Sequence, residues 1–155
     1  MPGTLTYSPA DVIRQLLIDL AYGTSSSGTA DWPVYCSTLP DSPDKVITVV
    51  DTTGIHQGRL MISGEVEERH GIQILVRSAK FPSGWSKADD ITVGLDAVYQ
   101  AGVVMDTKSY FVHAISRSSG PIALGKEAPS EGSNIPISKR EMFSVNCTVS
   151  VRETN

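Results

Sequence analysis

Apolar residues recur at helical spacing near the start of the chain. Val12, Ile13, Leu16, Leu17 and Leu20 fall on one face of a 3.6-residue repeat. Ser8 stands at the N-cap position, Pro9 fits the first helical position, and Asp11 lies near the positive end of the helix dipole. Gly23 is a natural stop. The Ser/Gly-rich stretch from Thr24 to Asp31 reads as a loop. The same spacing returns in Ala88, Ile91, Leu95, Val98 and Gly102. With Ser86 as cap and Asp89 three residues on, it predicts a second helix from Ser86 to near Gly102.

Elsewhere the period is two. Ile72, Ile74 and Val76 alternate with Gln73, Leu75 and Arg77 in a strand from Gly71 to Ser78. Phe143, Val145, Cys147, Val149 and Val151 alternate with Ser144, Asn146, Thr148 and Ser150 in a final strand from Glu141 to Arg152. Trp32 to Thr38, Lys45 to Asp51 and Ser109 to Arg117 also read as strands, the first two separated by a proline-containing turn. Gly54, Gly58, Gly64 and Gly71 punctuate the stretch from Thr52 to Gly71, around an apolar patch at Leu60-Met61-Ile62. That stretch is expected to be a glycine-kinked β-arm or a long loop. Ser118 to Pro136 is loop-rich, with a short strand at Ile122 to Lys126. The order α-β-β-arm-β-α-β-loop-β predicts an α+β fold. It is a mixed, mainly antiparallel sheet of about four to six strands, with two helices packed on one face and an extended β-arm or loop. Residues 1–155 are expected to form a single domain.

Composition narrows the function. The chain is 40% hydrophobic and 19% charged, as a folded domain requires, with a net charge of −4. That balance argues against a general nucleic-acid binder, although an acidic surface suits a protein that DNA must slide past. Cys36 and Cys147 make no disulfide framework and are expected to be reduced core thiols in a reducing cytoplasm. The N-terminus shows no signal peptide, and no apolar run approaches the ~20 residues of a membrane span.

Catalytic chemistry is sparse. Gly120-Pro-Ile-Ala-Leu-Gly125-Lys126 approximates a phosphate-binding loop, but Glu127 replaces the required Ser or Thr and no helix start follows. Asn146-Cys147-Thr148 is a glycosylation sequon without a secretion signal. His56, His70 and His113 have no second ligand at metal spacing. No nucleophile elbow or Cys/His pair stands out, so no catalytic, cofactor-binding or metal-binding residue is assigned.

The residues that say most are Leu39-Pro-Asp-Ser-Pro-Asp44, running through Lys45 into Val46-Ile-Thr-Val-Val-Asp-Thr-Thr-Gly54. A Pro-Asp-x-Pro-Asp turn, then an apolar strand ending in Asp-Thr-Gly-Gly or a variant, resembles the tail-terminator and tail-completion proteins of long-tailed bacteriophages. That group includes proteins labelled minor capsid or head–tail joining. Thr53 departs from the pattern where a first Gly is common. The element order agrees over roughly residues 8–153, through Gly71-Ile-Gln-Ile-Leu-Val-Arg77 and the Ala88 to Ala101 helix.

The resemblance implies a structural virion protein of the tail or neck, assembled in the host bacterial cytoplasm and needing no cofactor. It implies a ring of about six copies that caps the tail tube, ends its growth and joins the head connector. Tail-tube protein and head–tail connector would be its partners, and DNA would pass through the lumen without specific binding. In such rings the arm reaches a neighbour or the lumen. Carried over, that marks Gly54, Arg59, Glu65, Glu67, Glu68 and Arg69, with carboxylates that suit a channel repelling DNA. Phe81-Pro-Ser-Gly-Trp85 is a separate candidate contact: its two aromatics either anchor a partner or cover the start of the second helix. Other readings stay open: another neck or minor capsid protein, a small hydrolase using His70 with Glu67 or Asp51, or a monomeric binding module.

Overall fold

The computed structural model describes residues 5–25, 31–59, 61–62, 66–127 and 140–154, and for 57–59 and 66–67 the backbone alone. Two helices and eight strands follow in the order α1 (Pro9–Asp19), β1 (Thr24–Ser25), β2 (Pro33–Cys36), β3 (Val46–Arg59), β4 (Val66–Ser78), α2 (Phe81–Asp96), β5 (Tyr99–Met105), β6 (Lys108–Arg117), β7 (Ile122–Lys126) and β8 (Glu141–Thr154). One sheet holds all the strands among the described residues, in the order β1-β2-β3-β4-β8-β6-β5, with β7 beside β8. Eight strands exceed the four to six expected. The extra ones are the two-residue β1 and, more substantially, β5.

Helix α1 forms as its pattern predicts. Ser8 Oγ accepts from the Asp11 amide at 3.2 Å. Asp51 Oδ1, at the close of the apolar run in β3, accepts from the Ala10 amide at 2.9 Å. Two free first-turn amides are thereby satisfied, one locally and one from the sheet. Val12, Ile13, Leu16 and Leu17 are buried. The helix touches β2 and β3 near one edge of the sheet and β5 at the other, so the sheet curls around it.

Helix α2 begins at Phe81 rather than Ser86 and ends at Asp96 rather than near Gly102. Pro82 supplies the fixed φ of a first turn. Gly84 can sit in that turn because its missing Cβ leaves room for the Phe143 ring; a Cβ there would lie 2.4 Å from Cε2. Beyond Ala97 the chain becomes β5. Val103 and Met105 are buried with period two and Ala101 packs against the core. Pairing with β6 outweighs the helical spacing of Val98 and Gly102.

Strands β1, β2 and β3 run parallel to one another, and every other pair is antiparallel. The turn between β2 and β3 is therefore a crossover, residues 37–45, and it lies over the sheet face opposite the helices. Thr48 Oγ1 donates to the Thr38 carbonyl at 3.0 Å. Arg77, on the face opposite Ile72, Ile74 and Val76 as the alternation has it, lies beneath the crossover and is wholly buried. The helix face holds the core, where Ile47, Val49, Ile72, Ile74, Val76, Phe143 and Val145 pack under both helices.

Candidate functional site

Strands β3 and β4 pair from Thr52 and Gly71 out to Arg59 and Val66 as the two sides of a β-hairpin arm. Strand β8 accompanies β4 only as far as His70, so beyond that point β3 and β4 form a two-stranded ribbon leaving the body of the sheet. Two register shifts, between Thr52 and Ile55 and between His56 and Arg59, each place one extra residue on β3. Such bulges bend and twist a ribbon. Glycine permits the first: a Cβ on Gly54 would lie 2.4 Å from the Arg69 carbonyl oxygen, and one on Gly71 would lie 2.3 Å from the Thr53 carbonyl oxygen. Gly54, Glu68 and Arg69 stand on this ribbon. Arg59 and Glu67 are placed there by backbone only, and Glu65 lies outside the described residues, as does Leu60. At the tip, Met61 and Ile62 are fully exposed.

A groove of about 310 Å³ opens at the arm's base, lined by Pro9, Asp51, Ile55, His56, Glu68 and His70 among others. Asp51 and His70 thus share a wall, but one Asp51 oxygen is engaged as the α1 cap. Among the described residues, no three His, Cys, Asp or Glu side chains are grouped to hold a metal ion. His113 stacks edge-on to Phe111 at 4.7 Å. Gly120 to Lys126 is no phosphate cradle, since Ile122–Lys126 is strand β7. Both cysteines are free. Cys147 is buried, which pushes its thiol up to about 11, whereas Cys36 is only half-buried.

The Pro-Asp-Ser-Pro-Asp turn is held from below. Arg77 donates to the Pro40 carbonyl, to the Pro43 carbonyl at 2.8 Å and to Glu127 Oε1 at 3.0 Å. Arg140 meets Glu127 Oε2 at 2.9 Å and donates to the Asp41 carbonyl. The motif's carbonyls are therefore ligands of two arginines, which fixes the crossover on the sheet. Burial pulls the Arg77 pKa below its ordinary value while Glu127 pulls it back up. Sequence reasoning missed this cluster because its four segments are distant along the chain; the one signal was an arginine inside an otherwise apolar strand.

Phe81 and Trp85 lie on the first turns of α2 with their rings 6.3 Å apart and nearly parallel. Both meet the Phe143 ring edge-on, at 5.1 and 6.1 Å. They cover the helix start, yet remain 47% and 40% exposed. Strand β7 runs along β8 next to Phe143 and is exposed along its whole length, with Ile122 and Leu124 outward.

A helix long and apolar enough to cross a membrane is absent among the described residues. No curated protein sequence matches the chain. A solved structure of the virion of a native gene transfer agent particle is similar over 91% of this chain and 91% of the matched one, at 18% identity and a TM-score of 0.42. A family model described as bacteriophage tail terminator protein matches residues 17–134, from within α1 through the arm, α2 and β7. Because that match covers well over half of the sequence, the chain belongs to the bacteriophage tail terminator family.

Proposed function

We propose that this protein caps the phage tail tube as a closed ring of about six copies, ends tube growth and presents a surface to the head connector. The family match over residues 17–134 carries the reading. A structural part in the virion's tail or neck needs surfaces rather than a catalytic centre. The molecule supplies an arm that leaves its own core, with two apolar side chains in water at the tip. The partners under this reading are further copies of the chain, the tail-tube protein and the connector. DNA passes through the lumen unbound, as the net charge of −4 favours.

Absolute mass by light scattering across a concentration series, with negative-stain images and with added tail tubes, tests the proposal. A closed ring, alone or on the tube end, is expected. A chain that stays monomeric and leaves tube length unregulated when tubes are supplied would sink it.

A further inference from the structure

We propose that the apolar arm tip of one copy docks on the surface formed by Phe81, Trp85 and the edge of β7 that is unpaired among the described residues of the next copy. This rests on the ring reading above and names the contact that would build the ring.

The two surfaces match in chemistry. The tip offers Met61 and Ile62, fully exposed side chains at 101% and 103% of their reference area. The receptor offers a pair of parallel aromatic rings against Phe143 and, paired next to Phe143, a strand whose second edge has no partner among the described residues, with Leu124 52% exposed. An open edge can accept backbone hydrogen bonds from an added strand while adjacent apolar groups take its side chains. Opposite charges are present on the two surfaces: Glu68 is exposed on the arm, next to Arg69, while Lys80 and Lys126 are exposed around the receptor, Lys126 opposite Glu141.

Geometry makes the contact intermolecular. Strand β4 carries the arm at its Val66 end, and its Ser78 end, paired with Glu141, lies three residues before α2 begins. Thirteen residues of strand separate the two, about 40 Å at the usual rise per residue. A tip cannot reach the receptor of its own chain across that span. Two different surfaces at opposite ends of one molecule make a heterologous contact, which propagates and closes when the rotation per copy allows.

The test uses two full-length variants. Met61→Asp with Ile62→Asp disables the tip but keeps the receptor. Leu124→Asp disables the receptor but keeps the tip, at an exposed position where folding should survive. Each alone should assemble roughly tenfold more weakly or not at all, as expected for losing one buried aliphatic contact. Mixed, they should form a one-to-one dimer and stop, because one good tip meets one good receptor. In parallel, an Ile62→Cys copy and a Leu124→Cys copy, both with Cys36→Ser, are treated with a short bis-maleimide at high concentration. Mixed-variant dimers should exceed those from a Val93→Cys control. This arm works even if the wild type is monomeric in solution. Cross-linking no better than the control, or wild-type assembly by the tip variant, overturns the proposal. Rings that survive both variants would leave the ring reading standing without this contact. A tip–receptor dimer from a protein that never closes would do the reverse.

Discussion

At the scale of single residues, Arg77 explains why the proline-aspartate turn is where it is. Its guanidinium is wholly buried and reaches the Pro40 and Pro43 carbonyls as well as Glu127. Removing it leaves the carbonyls of the crossover under a side chain that cannot donate. Arg77→Met should therefore lower unfolding stability by about 3 kcal/mol, read as a shift in the urea midpoint at unchanged slope. An unchanged midpoint would mean that Arg140 alone holds the turn.

Glu153 sets a second, pH-dependent tie. It accepts from the Thr6 amide at 2.8 Å, from Tyr110 Oη at 3.1 Å and from Lys108 at 2.9 Å, joining the first described residues to β6 and β8. The Thr6 amide, ahead of Lys108, pulls its pKa from 4.5 down to about 2. A depressed carboxylate contributes its stability above its unfolded value and loses it as the pH falls through the folded one. The N-terminal segment should thus loosen progressively between about pH 4.5 and 2. Urea midpoints across that range should fall less steeply for Glu153→Gln; parallel curves for the two proteins would remove Glu153 from the account.

At the scale of elements, glycine decides whether the arm exists. Gly71 and Gly54 let β3 and β4 approach at the bulge where the ribbon leaves the sheet, and a Cβ on Gly71 would meet backbone rather than a yielding side chain. Gly71→Ala should cost roughly 1–3 kcal/mol by steric overlap. The arm amides should lose hydrogen-exchange protection before those of Ile72 to Val76. Uniform loss of protection would show the arm and the sheet to be one cooperative unit. This part of the fold was legible, since four glycines around an apolar patch pointed to a kinked arm. Strand β5 was not legible. Val98 and Gly102 continue the helical spacing of Ile91 and Leu95, and only the β6 partner, fifteen residues downstream at Tyr99↔Ala114, shows why the chain is extended there. Helix α2 likewise starts early because Gly84, a poor helix former on its own, is needed by Phe143.

At the scale of the whole molecule, the parallel pairing of β2 with β3 could not be read from the chain. Pairing direction depends on where the connecting segment lies, and that depends on Arg77, which alternation put on the face opposite Ile72, Ile74 and Val76 without showing that the face is covered. The candidate site was legible only in part. The arm and the two aromatics were visible as segments, but their placement at opposite ends of β4 is a property of the fold.

Under the docking proposal, that placement sets the arm's carboxylates against the next copy rather than in the lumen. If the arm lines a channel, Glu68→Lys should leave ring mass and assembly concentration unchanged while DNA retention in the particle suffers. If the arm docks beside Lys80 and Lys126, reversal sets like charges together, and the contact weakens in a way that salt relieves. The docking geometry predicts the second outcome: Glu68→Lys should shift assembly to higher concentration at low ionic strength, with the difference from wild type shrinking as salt screens it. Light scattering at several salt concentrations measures this directly. Normal rings at every ionic strength, with leaking particles, would return the arm to the lumen.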